Sequence, residues 1–299
     1  MEGRDWSDLT PVCLTNVFTR LSLEDLWKGP TFVCKSWLEA SRDPSLFASF
    51  DLDSYFDGPR PEDPLWWTPA FERRIDAMLR SAVLRSAGSL REVRVRHCSD
   101  LSLAFVAERS PNLRILSIRS SQNVTDASMA KIASGCPVLT ELDISYCYEI
   151  SYRSLELIGD HCTKLMVLKR NFMNWLDPSQ YAGVVPNEYL NASPQDADRE
   201  AAVIAKFMPN LKHLKLRFSK LTVSGLNLIA ESCRDLEHLD LFGCANLTSR
   251  AIEQASSNLK NLKVLVRPNF YIPRSVFHTE RYGHWRLYDE RFQTNVFQI

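Results

Sequence analysis

The side chains with the most reactive potential in this chain are eight cysteines and six histidines. Thiolates and imidazoles at short spacing would hold zinc, and an activated thiolate beside a histidine would serve as a nucleophile. Neither arrangement occurs: there is no CxxC pair and no Cys/His set at zinc spacing, and His97, His161, His213, His238, His278 and His284 are scattered along the chain. P-loop, GxSxG, HExxH and dinucleotide-binding strings are also missing, so the sequence offers no catalytic group, no metal site and no cofactor cradle. The remaining chemistry is recognition. Arginine clamps carboxylates or phosphates with paired N–H donors, and tryptophan and tyrosine anchor protein interfaces. Which arginines and aromatics stand together depends on the elements that carry them.

Those elements follow from a repeat. The string LxxLxL recurs with first positions Leu90, Leu113, Leu139, Leu211 and Leu236, with degenerate copies at Leu165 and Leu262. The successive steps are 23, 26, 26, 46, 25 and 26 residues, one period interrupted by a single insertion after Leu165. Six of the eight cysteines fall either eight residues after the first Leu (Cys98, Cys147, Cys244) or three before it (Cys136, Cys162, Cys233). Alternation in LxxLxL places the second and third apolar residues on one face of a short strand. Sets such as Met129/Ile132/Ala133, Leu155/Leu157/Ile158 and Leu226/Leu228/Ile229/Ala230 supply a helix to cover that face. One strand and one helix cannot bury themselves, so stacked copies must share a core. Cysteine, a small hydrophobe with weak hydrogen-bonding capacity, suits the turn after each strand and the end of each helix better than redox or metal chemistry.

LTELDISYCYEIS and LEHLDLFGCANLT resemble the cysteine-containing class of leucine-rich repeat over about residues 88–267. The resemblance implies an α/β fold, a curved solenoid of about seven repeats with a concave strand face. The copy at Leu165 departs from it, with Arg170 at the third apolar position and Met173 at the cysteine position, which predicts a distorted or shortened strand there.

The first fifty residues read as short helices. Thr10 caps a helix opened by Pro11 with Leu14, Val17, Phe18 and Leu21 at helical spacing; Ser22 caps a second that Pro30 limits; Asp43 and Pro44 mark a further start. So few residues carry more large apolar side chains than one small core needs, which implies a partner. The string from Leu9 through Pro11, Leu14, Phe18, Leu21, Leu26, Val33, Cys34 and Trp37 to Asp43, Pro44, Leu46 and Phe47 resembles a three-helix F-box, here within residues 1–55. An F-box followed by leucine-rich repeats resembles the substrate receptors of Skp–cullin–F-box ubiquitin ligases. That resemblance implies docking on a Skp adaptor and, through it, on cullin and RING subunits, with catalysis supplied in trans and a target protein held by the repeats. It assigns Leu9, Pro11, Leu14, Phe18, Leu21, Leu26, Val33, Cys34 and Trp37 to the F-box core and adaptor-facing surface together. A non-proteolytic repeat scaffold is the alternative.

Composition agrees with an intracellular protein of the nucleus or cytoplasm. The 299 residues suggest two folding units, the 36 basic and 36 acidic side chains cancel, and 45% apolar with 24% charged residues is ordinary for a globular chain. No net field draws the chain to nucleic acid or to an anionic membrane, no apolar run approaches a transmembrane span, and the N-terminus lacks the apolar core of a secretory signal. Residues four and six after each first Leu should line the concave face, a row that is basic at its N-terminal end. Arg94, Arg96 and Arg119, with Arg217 further on, are therefore candidate contacts for an acidic or phosphorylated target, unless they are simply solvated. The insertion at about 171–198 adds Trp175 and Tyr181 as candidate target contacts. Residues 56–87, with Trp66, Trp67 and a helix through Ile75, Met78, Leu79 and Ala82, read as a linker and N-terminal cap, and the aromatic tail 268–299 as a C-terminal cap.

Overall fold

The computed structural model describes residues 9–57, 64–175, 178–181, 183–190 and 196–268. Among them are α1 (Pro11–Phe18), α2 (Leu23–Lys28), α3 (Lys35–Ala40), β1 (Ser49–Asp51), α4 (Asp53–Phe56), α5 (Pro69–Ser86), β2 (Glu92–Arg94), α6 (Asp100–Arg109), β3 (Ile115–Ser117), α7 (Asp126–Gly135) and β4 (Glu141–Asp143). The order continues with α8 (Tyr152–His161), β5 (Val167–Lys169), α9 (Asn187–Leu190), α10 (Ala197–Phe207), β6 (His213–Lys215), α11 (Val223–Ser232), β7 (His238–Asp240), α12 (Ser249–Asn258) and β8 (Val264–Val266). The strands form one parallel sheet in sequence order. The proposed tail cap, from residue 269 on, lies outside the described residues.

Register explains the repeat. Phe50, Val93, Leu116, Leu142, Leu168, Leu214, Leu239 and Leu265 are paired across successive strands, and their side chains face the helices. Each covering helix adds an inward set: Leu103/Val106 on α6, Met129/Ile132 on α7, Leu155/Ile158 on α8, Leu226/Ile229 on α11. Leu157 and Leu228 do not join them. Both are exposed, because the second residue after an inward leucine lies on the far side of a helix with 3.6 residues per turn.

The chain leaves β2, β3, β4, β6 and β7 through a left-handed residue: His97, Ser120, Tyr146, Phe218 and Gly243 all have positive φ and stand seven residues after the first Leu. The Tyr146 and Phe218 amides donate to the carbonyls of Asn171 and Phe242 in the next repeat, at 2.9 and 2.7 Å, extending the ladder past the three-residue strands. At the helix starts a second ladder runs between repeats. Ser99, Thr125, Ser151 and Thr222 each cap their own helix and donate through hydroxyl and amide to Asp76, Asp100, Asp126 and Asp198 of the preceding one.

The sheet starts earlier than the leucine pattern. β1 lacks LxxLxL yet pairs in parallel with β2, so the end of the N-terminal helical segment is also the first strand of the solenoid. Trp27 stacks on Phe50 with 6.1 Å between ring centroids, and the Ser89 hydroxyl donates to the Pro44 carbonyl at 2.9 Å, joining the small helical core to the large one. The expected distortion at Arg170 does not occur: β5 pairs in register with both neighbours. Arg170 is buried, but its guanidinium donates to the Cys147 and Ile150 carbonyls at 2.6 and 2.7 Å and to Glu200 at 2.9 Å, so polar partners replace the missing apolar contact.

Candidate functional site

The N-terminal helices have an inside and an outside of unequal kind. Thr10 Oγ accepts from the Cys13 amide and Pro11 fills the first helical position, so α1 starts where capping chemistry requires. Leu14 and Phe18 are then sealed, at 0% and 1% exposure, with Leu26, Ala40, Leu46 and Phe47. Trp37 packs edge-on against Phe18 at 5.2 Å, and Leu9 and Trp27 close the rim. Outside, Val12 and Phe32 stand 72% and 83% exposed, accompanied by Val17, Leu21 and Val33. Withdrawing such side chains from water contributes roughly 1.5–3 kcal/mol apiece, so a partner could gain substantially here.

The structure thus divides the nine residues taken together from sequence. Leu14, Phe18 and Leu26 are interior; Leu9, Cys34 and Trp37 are half-buried; Pro11, Leu21 and Val33 face outward. Val12, Val17 and Phe32 were missed as surface residues. The available signal was that α1 is apolar on two faces, more than its own small core can use.

On the concave face the expected basic N-terminal end is not basic. β1 and α4 bring Asp51, Asp53 and Asp57 against it. Arg94 meets Glu92 at 2.7 Å and Glu141 at 3.4 Å, and Lys169 takes the same Glu141 oxygen at 2.6 Å. Arg119 meets Asp53 at 2.8 Å and Asp57 at 3.6 Å, and Arg96 hydrogen-bonds Asp57. Burial would raise the Glu141 carboxyl, but hydrogen bonds and charge from Lys169 and Arg94 outweigh it and hold the group below its ordinary range. Burial likewise disfavours the Arg119 cation, but the hydrogen bond and charge of Asp53 together with the charges of Asp143 and Asp57 outweigh it. The three arginines are not open clamps: each already pairs with at least one carboxylate, while the Nε–H groups of Arg96 and Arg119 are buried without a hydrogen-bond partner among the described residues.

The C-terminal half differs. Lys215 stands on β6 with no ion pair among the described residues, and Arg217 bonds Asp240 at 2.7 Å while remaining about half exposed. Phe218 and Phe242 meet edge-on at 5.4 Å, and Trp175 of the insertion donates its indole N–H to the Phe218 carbonyl at 3.1 Å. The Tyr181 hydroxyl accepts the Asn174 amide at 3.1 Å, fixing the loop that carries Trp175. Tyr189, at the far side of the insertion, is buried between Trp67 and Tyr148 with ring separations of 4.8 and 5.2 Å, so the insertion reaches the segment that carries Trp67. Trp175, Tyr181 and Arg217 therefore share one region, and Arg94, Arg96 and Arg119 another.

No protein-family model matches the chain. Among curated proteins it is 54% identical to F-box protein SKIP1 of Arabidopsis thaliana, over 100% of this chain and 99% of that one. The putative F-box/LRR-repeat protein 19 of the same plant is 47% identical over 94% of this chain and 93% of its own. The chain belongs to the F-box/leucine-rich-repeat family. F-box protein SKIP19, also from Arabidopsis thaliana, is 30% identical over 90% of this chain and 78% of its own. A solved structure of the yeast Rad7 and Elc1 complex overlaps 85% of this chain and 65% of its own at 16% identity and a TM-score of 0.40, too weak a likeness to bear on function.

In this F-box/leucine-rich-repeat chain the cysteine columns are structural. Cys136, Cys162 and Cys233 donate to the carbonyls of Ser110, Cys136 and Met208, the same position one repeat earlier, at 3.6, 3.5 and 3.6 Å. Cys147 and Cys244 donate to Ile118 and Leu216 at 3.1 and 3.0 Å. Burial pushes the thiols of Cys136, Cys147, Cys233 and Cys244 up to about 12, far from the thiolate form that nucleophiles and metal ligands need. His97 is caged by Trp66, Trp67, Phe56 and Phe71, and burial, aided by the charge of Arg96, drives its imidazole down to about 3, so it is neutral at physiological pH. Among the described residues no helix is long and apolar enough to cross a membrane, and no group of His, Cys, Asp and Glu could hold a metal ion.

Proposed function

We propose that this chain is the substrate-recognition subunit of a Skp–cullin–F-box ubiquitin ligase in which the outward apolar band of Pro11, Val12, Val17, Leu21, Phe32 and Val33 seats the Skp adaptor. The observation that carries the reading is that band on a helical segment whose own core is already closed by Leu14, Phe18, Leu26 and Phe47. Membership of the F-box/leucine-rich-repeat family supports it. The adaptor couples the chain to cullin and RING subunits, the repeats hold the target protein, and ubiquitin transfer is performed by those partners while this chain supplies no catalytic group. Buried thiols that donate hydrogen bonds must remain reduced, which fits the nucleus and cytoplasm.

The test is co-elution with a purified plant Skp adaptor. Val12→Glu and Phe32→Glu place a carboxylate in the apolar band without touching the core, so both lose the complex while the free chain melts unchanged. Co-elution of both variants at wild-type strength would refute the assignment of this face.

A further inference from the structure

We infer that the C-terminal half of the concave face, formed by Lys215 and Arg217 with Phe218, Phe242 and Trp175 at its rim, docks an acidic segment of the target protein that carries an aromatic side chain. The inference deepens the receptor reading above and rests on it.

Charge complementarity selects the occupant. Along the central column of the sheet, Asp51, Arg94, Ser117, Asp143, Lys169, Lys215, Asp240 and Val266 are paired across strands. In the first half the basic groups Arg94, Arg96, Arg119 and Lys169 are bound to Glu92, Glu141, Asp53 and Asp57, and Asp51 adds a further carboxylate, so an incoming acid finds no unpaired cation. In the second half the one carboxylate of the column, Asp240, is buried and accepts from the Phe242 amide and Arg217. Among the described residues, that leaves the charge of Lys215 and the outer edge of the Arg217 guanidinium uncompensated. The field there is positive. His238 stacks on His213 at 5.7 Å, and burial together with the charges of Lys215, His213 and Arg217 lowers its imidazole against the opposing pull of Asp240. Its Nε2 is buried without a hydrogen-bond partner among the described residues.

The rim adds shape. Arg217 lies over the Phe242 ring at 5.8 Å, Phe218 stands edge-on beside it, and the Trp175 indole is anchored to the Phe218 carbonyl and leaves part of its ring in solvent. An aromatic side chain set beside this wall would bury area while neighbouring carboxylates reach Lys215 and Arg217. A protein segment fits better than nucleic acid. A phosphate backbone following the sheet would run onto Asp51, Asp57 and Glu141, whereas a peptide can confine its charge to the basic half.

The experiment is fluorescence anisotropy on the full chain with three probes: a labelled peptide alternating Glu and Tyr, its Lys/Tyr counterpart, and a thymidine oligonucleotide. The Glu/Tyr peptide binds and the other two do not. Lys215→Glu with Arg217→Gln weakens that binding about tenfold, and Phe242→Ser, which alters no charge, weakens it several-fold. Lys131→Glu with Arg250→Gln makes the same charge change on exposed helical positions and leaves affinity within about twofold. No binding of the Glu/Tyr peptide to the wild type, equal losses in both charge variants, or oligonucleotide binding as tight as the peptide's would overturn the inference. Adaptor co-elution, run on the same samples, persists in the Lys215→Glu/Arg217→Gln chain; its loss in the wild type would instead indict the receptor reading.

Discussion

The N-terminal helices and the concave face of the repeats leave opposite kinds of surface for a partner. In the helical segment the unspent quantity is apolar area, with Phe32 and Val12 in water beside a core that is already full. In the solenoid it is charge, and the fold consumes most of it internally: five carboxylates occupy Arg94, Arg96, Arg119 and Lys169, and Glu200 holds Arg170. The difference separates two recognition tasks. A face with little charge binds one constant partner through burial, largely indifferent to salt, whereas a face of arranged charge discriminates among targets.

The sharpest way to break that comparison lies inside the repeats. Glu200→Ala strands the Arg170 guanidinium in the core and should cost about 3–5 kcal/mol, measured by denaturant unfolding, because an unpaired buried charge is worse than no charge. Phe32→Glu should leave stability within about 0.5 kcal/mol and remove about 2–3 kcal/mol of adaptor affinity, the reverse signature. Leu14→Ala, on the inward side of α1, should instead lower stability by about 2–5 kcal/mol. If the outward and inward variants behaved alike, the division of the F-box residues would fail.

Two smaller effects sharpen the polar side. Burial keeps His97 neutral, with its imidazole near 3 against an ordinary 6.5, so the unfolded chain binds a proton that the folded chain refuses. Stability is therefore full above the ordinary value and falls as pH drops below it, by about 1.4 kcal/mol between pH 7.5 and 5.5. His97→Asn, which tolerates the left-handed backbone there, should flatten that part of the profile. Asp126, where burial is outweighed by hydrogen bonds from Ser151 and Ser154, is held low; its contribution is present above the ordinary carboxylate value and is lost as pH falls further. Asp53→Ala with Asp57→Ala should cost only about 1 kcal/mol, since the pairs are partly exposed, yet free Arg96 and Arg119 to bind the Glu/Tyr peptide at the N-terminal half.

Legibility followed range. The leucine period placed β2 to β8 because each strand is set by residues within one repeat, and Thr10, Pro11 and Ser22 marked their helix starts for the same reason. β1 was hidden, since Ser49–Asp51 has no leucine pattern and becomes a strand only by pairing with Glu92–Arg94. The environment of the arginine row was not legible, because Asp53 and Asp57 approach Arg119 from more than sixty positions away. Arg170 looked like a defect until Glu200, thirty positions on, supplied its partner. In the F-box, spacing identified the apolar residues but could not say which side of two-turn helices the missing partner would cover.

Titration calorimetry of the intact chain with a Skp adaptor, at several temperatures and two salt concentrations, tests the central claim most directly. The account predicts saturable binding with a negative heat-capacity change from apolar burial, nearly independent of salt and weakened roughly 30- to 150-fold by Phe32→Glu. No binding by the folded chain, or binding that is strongly salt-dependent and indifferent to Phe32→Glu, would contradict it.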